Sequence, residues 1–171
     1  DSERSVTSYK KIIIEPHFLG SLEYFVLLSH FDHVIWEIEE HFIKQTYRNR
    51  CYLLGPNGVQ LISIPVKYGN RTPFSQVTID YRQKWPGEFK RSVSSAYGKA
   101  PYFDYIFPEL EKIIDQRFSN LLQLNKSLMT FCLKMLQTDI RLEFSRSFEK
   151  KPENVLLDAR NMISSKISFE E

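Results

Sequence analysis

Apolar residues in the first half of the chain fall in short runs bounded by turn residues, while in the second half they recur every three or four positions. Ile12-Ile13-Ile14 is a β-branched run that stops at Pro16, the pattern of a buried strand. After Gly20, Leu22, Phe25, Val26 and Leu28 return at helical spacing, which predicts an amphipathic helix over residues 20–30. Residues 34–39 then alternate: Val34, Trp36 and Ile38 share one face, and Glu37, Glu39 and His41 share the other. Two apolar runs, residues 47–54 and 59–66, flank Gly55-Pro56-Asn57-Gly58, a β-hairpin signal. Pro65 suits the end of an edge strand, and Val77-Thr78-Ile79-Asp80-Tyr81 reads as one more strand.

Beyond residue 88 the period lengthens. Helices are predicted at 89–97, closed by Gly98 and Pro101, then at 103–115 and at 119–136. The last has Ser119 as its N-cap and a stripe of Leu121, Leu122, Leu124, Leu128, Met129, Leu133 and Leu136. Ile140-Arg141-Leu142-Glu143-Phe144 predicts a final strand, and a short helix is expected after Pro152. No repeat or linker interrupts the chain. The fold expected is α/β: a single domain over residues 1–171, with an N-terminal mixed β-sheet carrying a β-hairpin and a C-terminal helical half.

Composition narrows the classes of function. With 171 residues, 42% hydrophobic and 26% charged, the chain is ordinary for a globular domain with a real core. A net charge of +2 and no basic stripe argue against a nucleic-acid partner. No apolar run reaches the length of a membrane span. The two cysteines, Cys51 and Cys132, are too few for a disulfide scaffold and lack zinc spacing, so they read as reduced thiols of a cytoplasmic protein. The first residue is not Met and the last segment carries no stop signal, so a longer parent chain is expected.

The candidate chemistry centres on Lys44-Gln45-Thr46-Tyr47-Arg48-Asn49-Arg50-Cys51, three cations and two amides at the mouth of the hairpin. Ordering so many long side chains costs rotamer entropy, which suggests a site for an anion or polar small molecule. The alternative is a solvated loop whose charges discourage edge-to-edge pairing. His17 follows a buried strand, where α/β folds place site residues, and a histidine there can act as a general base or simply be structural. Glu37, Glu39 and His41 could offer acid, base or ligand groups, but adjacent polar positions more often form the wet face of an edge strand; no metal is expected. Cys51 sits in a strand pattern, which favours an inert thiol over a nucleophile.

The ordered series Lys44-Gln45-Thr46-Tyr47-Arg48-Asn49-Arg50-Cys51, Asn57-Gly58, Ile64-Pro65-Val66, Ile79-Asp80-Tyr81 and Trp85 resembles the WbqC-like family. So do Ser95-Ala96-Tyr97-Gly98-Lys99-Ala100-Pro101-Tyr102-Phe103, the opening Pro16-His17-Phe18-Leu19-Gly20 with Tyr24-Phe25, and Asp158-Ala159-Arg160-Asn161 with Lys166. The short form of Bacteroidota-type bacteria is nearest. Two positions depart from the pattern: His17 stands where members commonly have Tyr or Phe, and Phe89 where many have His. The family takes its name from O-antigen gene clusters, and some members are described as glycyl or aminoacyl transferases acting on amino sugars. The resemblance therefore implies an acyl or aminoacyl (glycyl-type) transferase in surface polysaccharide biosynthesis, with a carbohydrate-binding accessory protein as the alternative. Joined to the residue pattern, it implies that Lys44, Arg48 and Arg50 hold the phosphates of a nucleotide-activated amino sugar. Asn49 would orient a hydroxyl or carbonyl, Trp85 or Tyr97 would stack on a ring, and His17 or Glu37 would act as the base, with no cofactor.

Overall fold

The structure, a computed structural model, describes residues 10–164. Its central layer is a four-stranded parallel sheet assembled from both ends of the chain. β1 (Lys11–Ile14) is followed by the crossover helix α1 (Leu22–Leu28) and β2 (His33–Trp36). The outer strands are β7 (Arg141–Phe144) beside β2 and β8 (Leu157–Asp158) beside β1, giving the order β7-β2-β1-β8. Ile12 pairs with Val34 and Ile14 with Trp36, while Trp36 pairs in turn with Phe144. Central strands of a parallel sheet are covered on both faces, which is why β1 and β2 are apolar almost throughout.

That position corrects the expected strand over residues 34–39. The strand ends at Trp36, and the last ladder bond runs from the Glu37 N–H to the Ile14 carbonyl at 2.9 Å. Glu37, Glu39 and His41 therefore form no wet edge face. Glu37 is buried, while His41 is exposed and bridges to Pro73.

α1 is capped by Ser21, whose hydroxyl accepts the Tyr24 N–H, and it buries Tyr24 and Leu28. Gly20 is required beside it: a Cβ there would lie 2.6 Å from Tyr24 Cδ1. The expected hairpin forms as β3 (Arg50–Gly55) and β4 (Gly58–Ser63), with Gly58 at φ 106° closing the turn. It ends before Ile64-Pro65, because Asn49 clasps Ile64 instead. The Ile64 N–H meets the Asn49 carbonyl at 2.8 Å, and Asn49 Nδ2 donates to the Ile64 carbonyl at 2.9 Å. β5 (Val66–Lys67) then pairs with β6 (Thr78–Ile79), a shorter strand than the run 77–81 suggested because a 3-10 turn, Phe74–Gln76, leads into it.

The helical half is α2 (Trp85–Tyr97), α3 (Phe103–Asp115) and α4 (Leu121–Met135). α2 starts four residues early because Pro86 is accepted in a first turn. α4 is capped by Asn120 rather than Ser119: the Asn120 side chain accepts the Gln123 N–H, and the Ser119 carbonyl is engaged by Ile79. Among the described residues no helix follows Pro152; that segment supplies β8. One buried cluster joins Ile12, Ile14, Val34 and Trp36 to Phe89, Leu121, Leu124 and Leu128. The α/β class stands, with the hairpin in the first half and helices dominating the second. No helix among the described residues is long and apolar enough to cross a membrane.

Candidate functional site

All four strands of the parallel sheet end at the same edge, and the segments leaving them carry several polar side chains, of which Glu15, His17 and Glu37 are buried. Glu15 and His17 follow β1, Glu37 follows β2, Ser145 follows β7, and Arg160 and Asn161 follow β8. In open α/β sheets this carboxyl edge is where ligands bind.

The centre of the edge is a pair of buried residues. Glu15 Oε1 lies 3.1 Å from His17 Nε2, and His17 is only 4% exposed. Glu15 Oε2 accepts the Asn161 N–H at 2.9 Å, with Asn161 held at φ 63°. The Glu15 carbonyl accepts the Tyr24 hydroxyl at 3.0 Å, and that hydroxyl accepts Trp36 Nε1–H at 2.9 Å. The His17 ring stacks on Tyr24, with centroids 4.1 Å apart. Burial presses the His17 pKa below its ordinary 6.5, the nearby Arg48 charge pushes the same way, and the Glu15 contact only partly opposes them. Burial alone would raise the Glu15 carboxyl, but its bonds to His17 and Asn161 bring it below its ordinary value. At neutral pH His17 is thus a neutral imidazole donating Nε2–H to a carboxylate. Its Nδ1 is left as a buried lone pair with no hydrogen-bond partner. A carboxylate that accepts one ring N–H of an imidazole fixes its tautomer and leaves the other nitrogen as a proton acceptor.

Glu37 is the second group of note. It is 1% exposed, and neither carboxyl oxygen has a hydrogen-bond partner. Burial raises its pKa, against the lowering effects of Ser145 and Arg160. Ser145 Oγ accepts the Ile38 N–H and lies close enough for its own O–H to favour the Glu37 carboxylate. Arg160 is held by a two-pronged contact to Asp158, at 2.9 and 2.7 Å.

The run at 44–51 reaches this edge through the Phe18 N–H to Tyr47 carbonyl bond at 2.9 Å and through Arg48, but its cations do not converge. Arg48 is 4% exposed, and its Nη2 bonds Glu40 Oε2 at 3.2 Å and Asn161 Oδ1 at 3.1 Å. Its carbonyl accepts Asn125 Nδ2–H at 2.9 Å. Arg48 is therefore an internal brace, ion-paired with Glu40. Lys44 is exposed and Arg50 half-buried; neither forms a salt bridge within the described residues, and Arg50 Nε is unpartnered. Asn49 is buried in its clasp on Ile64, with Oδ1 unpartnered. Trp85 packs into the core against Tyr81 and Phe89, so it offers no open stacking face. Tyr97 is exposed on the rim of a cavity of about 520 Å³ whose wall includes Ser21, Glu23, Tyr47 and Tyr52. Tyr47 separates that cavity from His17, the two rings being 5.5 Å apart. Cys51 also lines it, but burial pushes its thiol up to about 12, which leaves no useful thiolate.

Glu15, Tyr24 and Arg160 are the residues that reasoning from residue types does not single out. Glu15 looks like the polar end of a strand, and only its pairing with His17, two residues on, could have flagged it. Among the described residues no cluster of three or more His, Cys, Asp or Glu could hold a metal ion. Lys166 of the late motif lies outside the described residues.

Fold and edge together define an α/β protein whose polar groups gather at the carboxyl end of a parallel sheet. The chain belongs to the WbqC-like protein family, which it matches over residues 15–166. It is 26% identical over 143 residues to an uncharacterized protein of Mycobacterium tuberculosis, covering 82% of this chain and 62% of that one. The chain thus spans less than two thirds of that relative's length. No solved structure matches it.

Proposed function

We propose that this protein is an acyl or aminoacyl (glycyl-type) transferase that modifies an amino sugar during cytoplasmic steps of bacterial surface polysaccharide (O-antigen) synthesis. The observation that carries this reading is the buried Glu15–His17 pair, with Nδ1 of a neutral imidazole left unpartnered. A base of this kind suits attack by an amine on an acyl carbonyl. The acceptor nitrogen forms the new C–N bond and passes a proton to His17 Nδ1, while Glu15 steadies the imidazolium through Nε2–H. As the bond between the acyl carbon and the donor's leaving group breaks, that proton goes to the leaving group. Tyr47 covers His17, so its ring must turn aside to admit the acceptor. Lys44 and Arg50 would meet the phosphates of a nucleotide-activated sugar, and Glu37 would serve as a further acid–base group.

The test is amide formation from acyl thioesters and a panel of nucleotide-activated amino sugars, followed by mass. His17→Gln should lower kcat by about 10²- to 10⁴-fold while substrate binding persists. Unchanged turnover in that variant would remove His17 from the mechanism. A second reading, a non-catalytic carbohydrate-binding accessory protein, is favoured by Arg48, which is engaged inside the protein and turned away from ligand. Binding of nucleotide sugars without product from any donor would select it.

A further inference from the structure

The segment 97–103 has no part in the carboxyl-edge chemistry, yet it walls an apolar recess. This cavity of about 330 Å³ is lined by Leu19, Leu53, Val93, Phe103, Ile106 and Leu110, with Tyr97, Ala100 and Pro101 at its mouth. No charged side chain lines it. Its origin lies in the connection between α2 and α3. Tyr102, at φ 64°, turns the chain sharply into α3, and Pro108 deprives that helix of the N–H that would bond the Asp104 carbonyl. The first turn of α3 is thereby held over α2 with open space beneath it. Leaving apolar walls without atoms against them forfeits packing, so the recess gains from an apolar guest.

The guest's identity follows from what the recess adjoins. Leu19, Leu53 and Tyr97 are shared with the 520 Å³ cavity, which carries Ser21, Glu23, Tyr47 and Tyr52 and backs onto His17 through Tyr47. The two together make one site with a dry arm and a polar arm. Pockets of this size that are mostly apolar, with a few polar groups at one end, suit amphipathic small molecules. We infer that the dry arm binds the alkyl chain of the acyl donor, with the donor's carbonyl in the polar arm next to Tyr47. The inference rests on the acyl-transfer reading for its chemistry, but its central statement is one of binding. A donor carrying only a glycyl group would leave the dry arm empty.

Calorimetric titration with dodecanoate and with butanoate tests this. Dodecanoate should bind one per chain, saturably and with a negative heat-capacity change, and butanoate at least tenfold more weakly. Ala100→Trp and Ile106→Trp, at exposed positions on the rim, should each weaken dodecanoate at least tenfold without lowering Tm. No saturable dodecanoate binding, equal binding of both acids, or binding indifferent to both variants would overturn the inference. So would a concentration-dependent dimer whose interface, and not dodecanoate, is disturbed by the same two variants. If short donors react through His17 while dodecanoate fails to bind, the transfer reading stands and the chain pocket falls. If dodecanoate binds as described and no donor yields product, the pocket stands and the transfer reading falls.

Discussion

The carboxyl edge of the parallel sheet and the recess under α3 are built on opposite physical terms. At the edge, Glu15, His17, Tyr24, Trp36 and Arg48 are buried and Asn161 lies at the exposed margin, each tied into one network by a directional bond. Under α3 the walls are hydrocarbon and nothing binds its neighbour by direction. Removing one member of the first region strands its partner without water, which costs more than the bond itself was worth. Removing one member of the second loses only contact area. Chemistry that needs a fixed tautomer belongs in the first, and recognition that needs tolerance of shape belongs in the second.

Substitutions can break or sharpen that contrast. The largest effect is expected for Glu15→Leu, which leaves the buried His17 Nε2–H and the Asn161 N–H unanswered. We expect a loss of about 3 kcal/mol in chemical denaturation. Tyr24→Phe should follow at about 2 kcal/mol, because the Trp36 N–H loses its acceptor and the Glu15 carbonyl its donor. Glu37→Gln should act in the other direction. Burial holds the Glu37 pKa above its ordinary 4.5, so the folded state binds the proton more tightly than the unfolded chain. Ionisation above that range therefore costs stability, and the glutamine variant should gain about 1 kcal/mol at neutral pH and nothing below pH 4.5. Arg50→Ala should abolish nucleotide-sugar binding while leaving the melting curve in place; an unfolded variant would make Arg50 structural. The smallest effect is expected for Ile106→Ser at the rim of the recess, within about 0.5 kcal/mol. A loss there as large as that of Tyr24→Phe would erase the distinction between the two regions.

Acidification probes the edge as a whole. His17 is depressed below 6.5, so the unfolded chain takes up its proton first, and native stability should decline as pH falls below 6.5. Glu15 is held below its ordinary 4.5, so a further loss should begin as pH falls below 4.5. Glu15→Gln should remove the second step, which equilibrium denaturation across that range would reveal.

The helices of the second half are legible in the sequence because their 3.6-residue period survives any tertiary context. α3 occupies 103–115 as its pattern predicts, the starts of α2 and α4 differ where Pro86 and Asn120 set them, and α4 stops at Met135 with Leu136 as its cap. The parallel sheet is far less legible. β7 and β8 have four and two residues, and their places beside β2 and β1 arise from contacts more than one hundred positions apart in the chain. That is also why the polar edge of residues 34–41 misleads: alternation reports the face of a strand only while the strand lasts, and this one stops at Trp36. The place of His17 after a buried strand is legible in the sequence; its contact with Glu15 is not. The charges at 44–51 are visible at once, but not their directions, and Arg48 turns inward to Glu40 and Asn161 while Lys44 faces solvent.

The central claim is that His17 is a neutral imidazole with its proton on Nε2 and a free lone pair on Nδ1. Two-dimensional nitrogen–proton NMR of the ring, assigned by comparison with His17→Gln, reads the tautomer directly. At pH 7 the account predicts Nε2–H with a bare Nδ1, and protonation only below pH 6.5. A proton on Nδ1, or a ring already charged at pH 7, would contradict it.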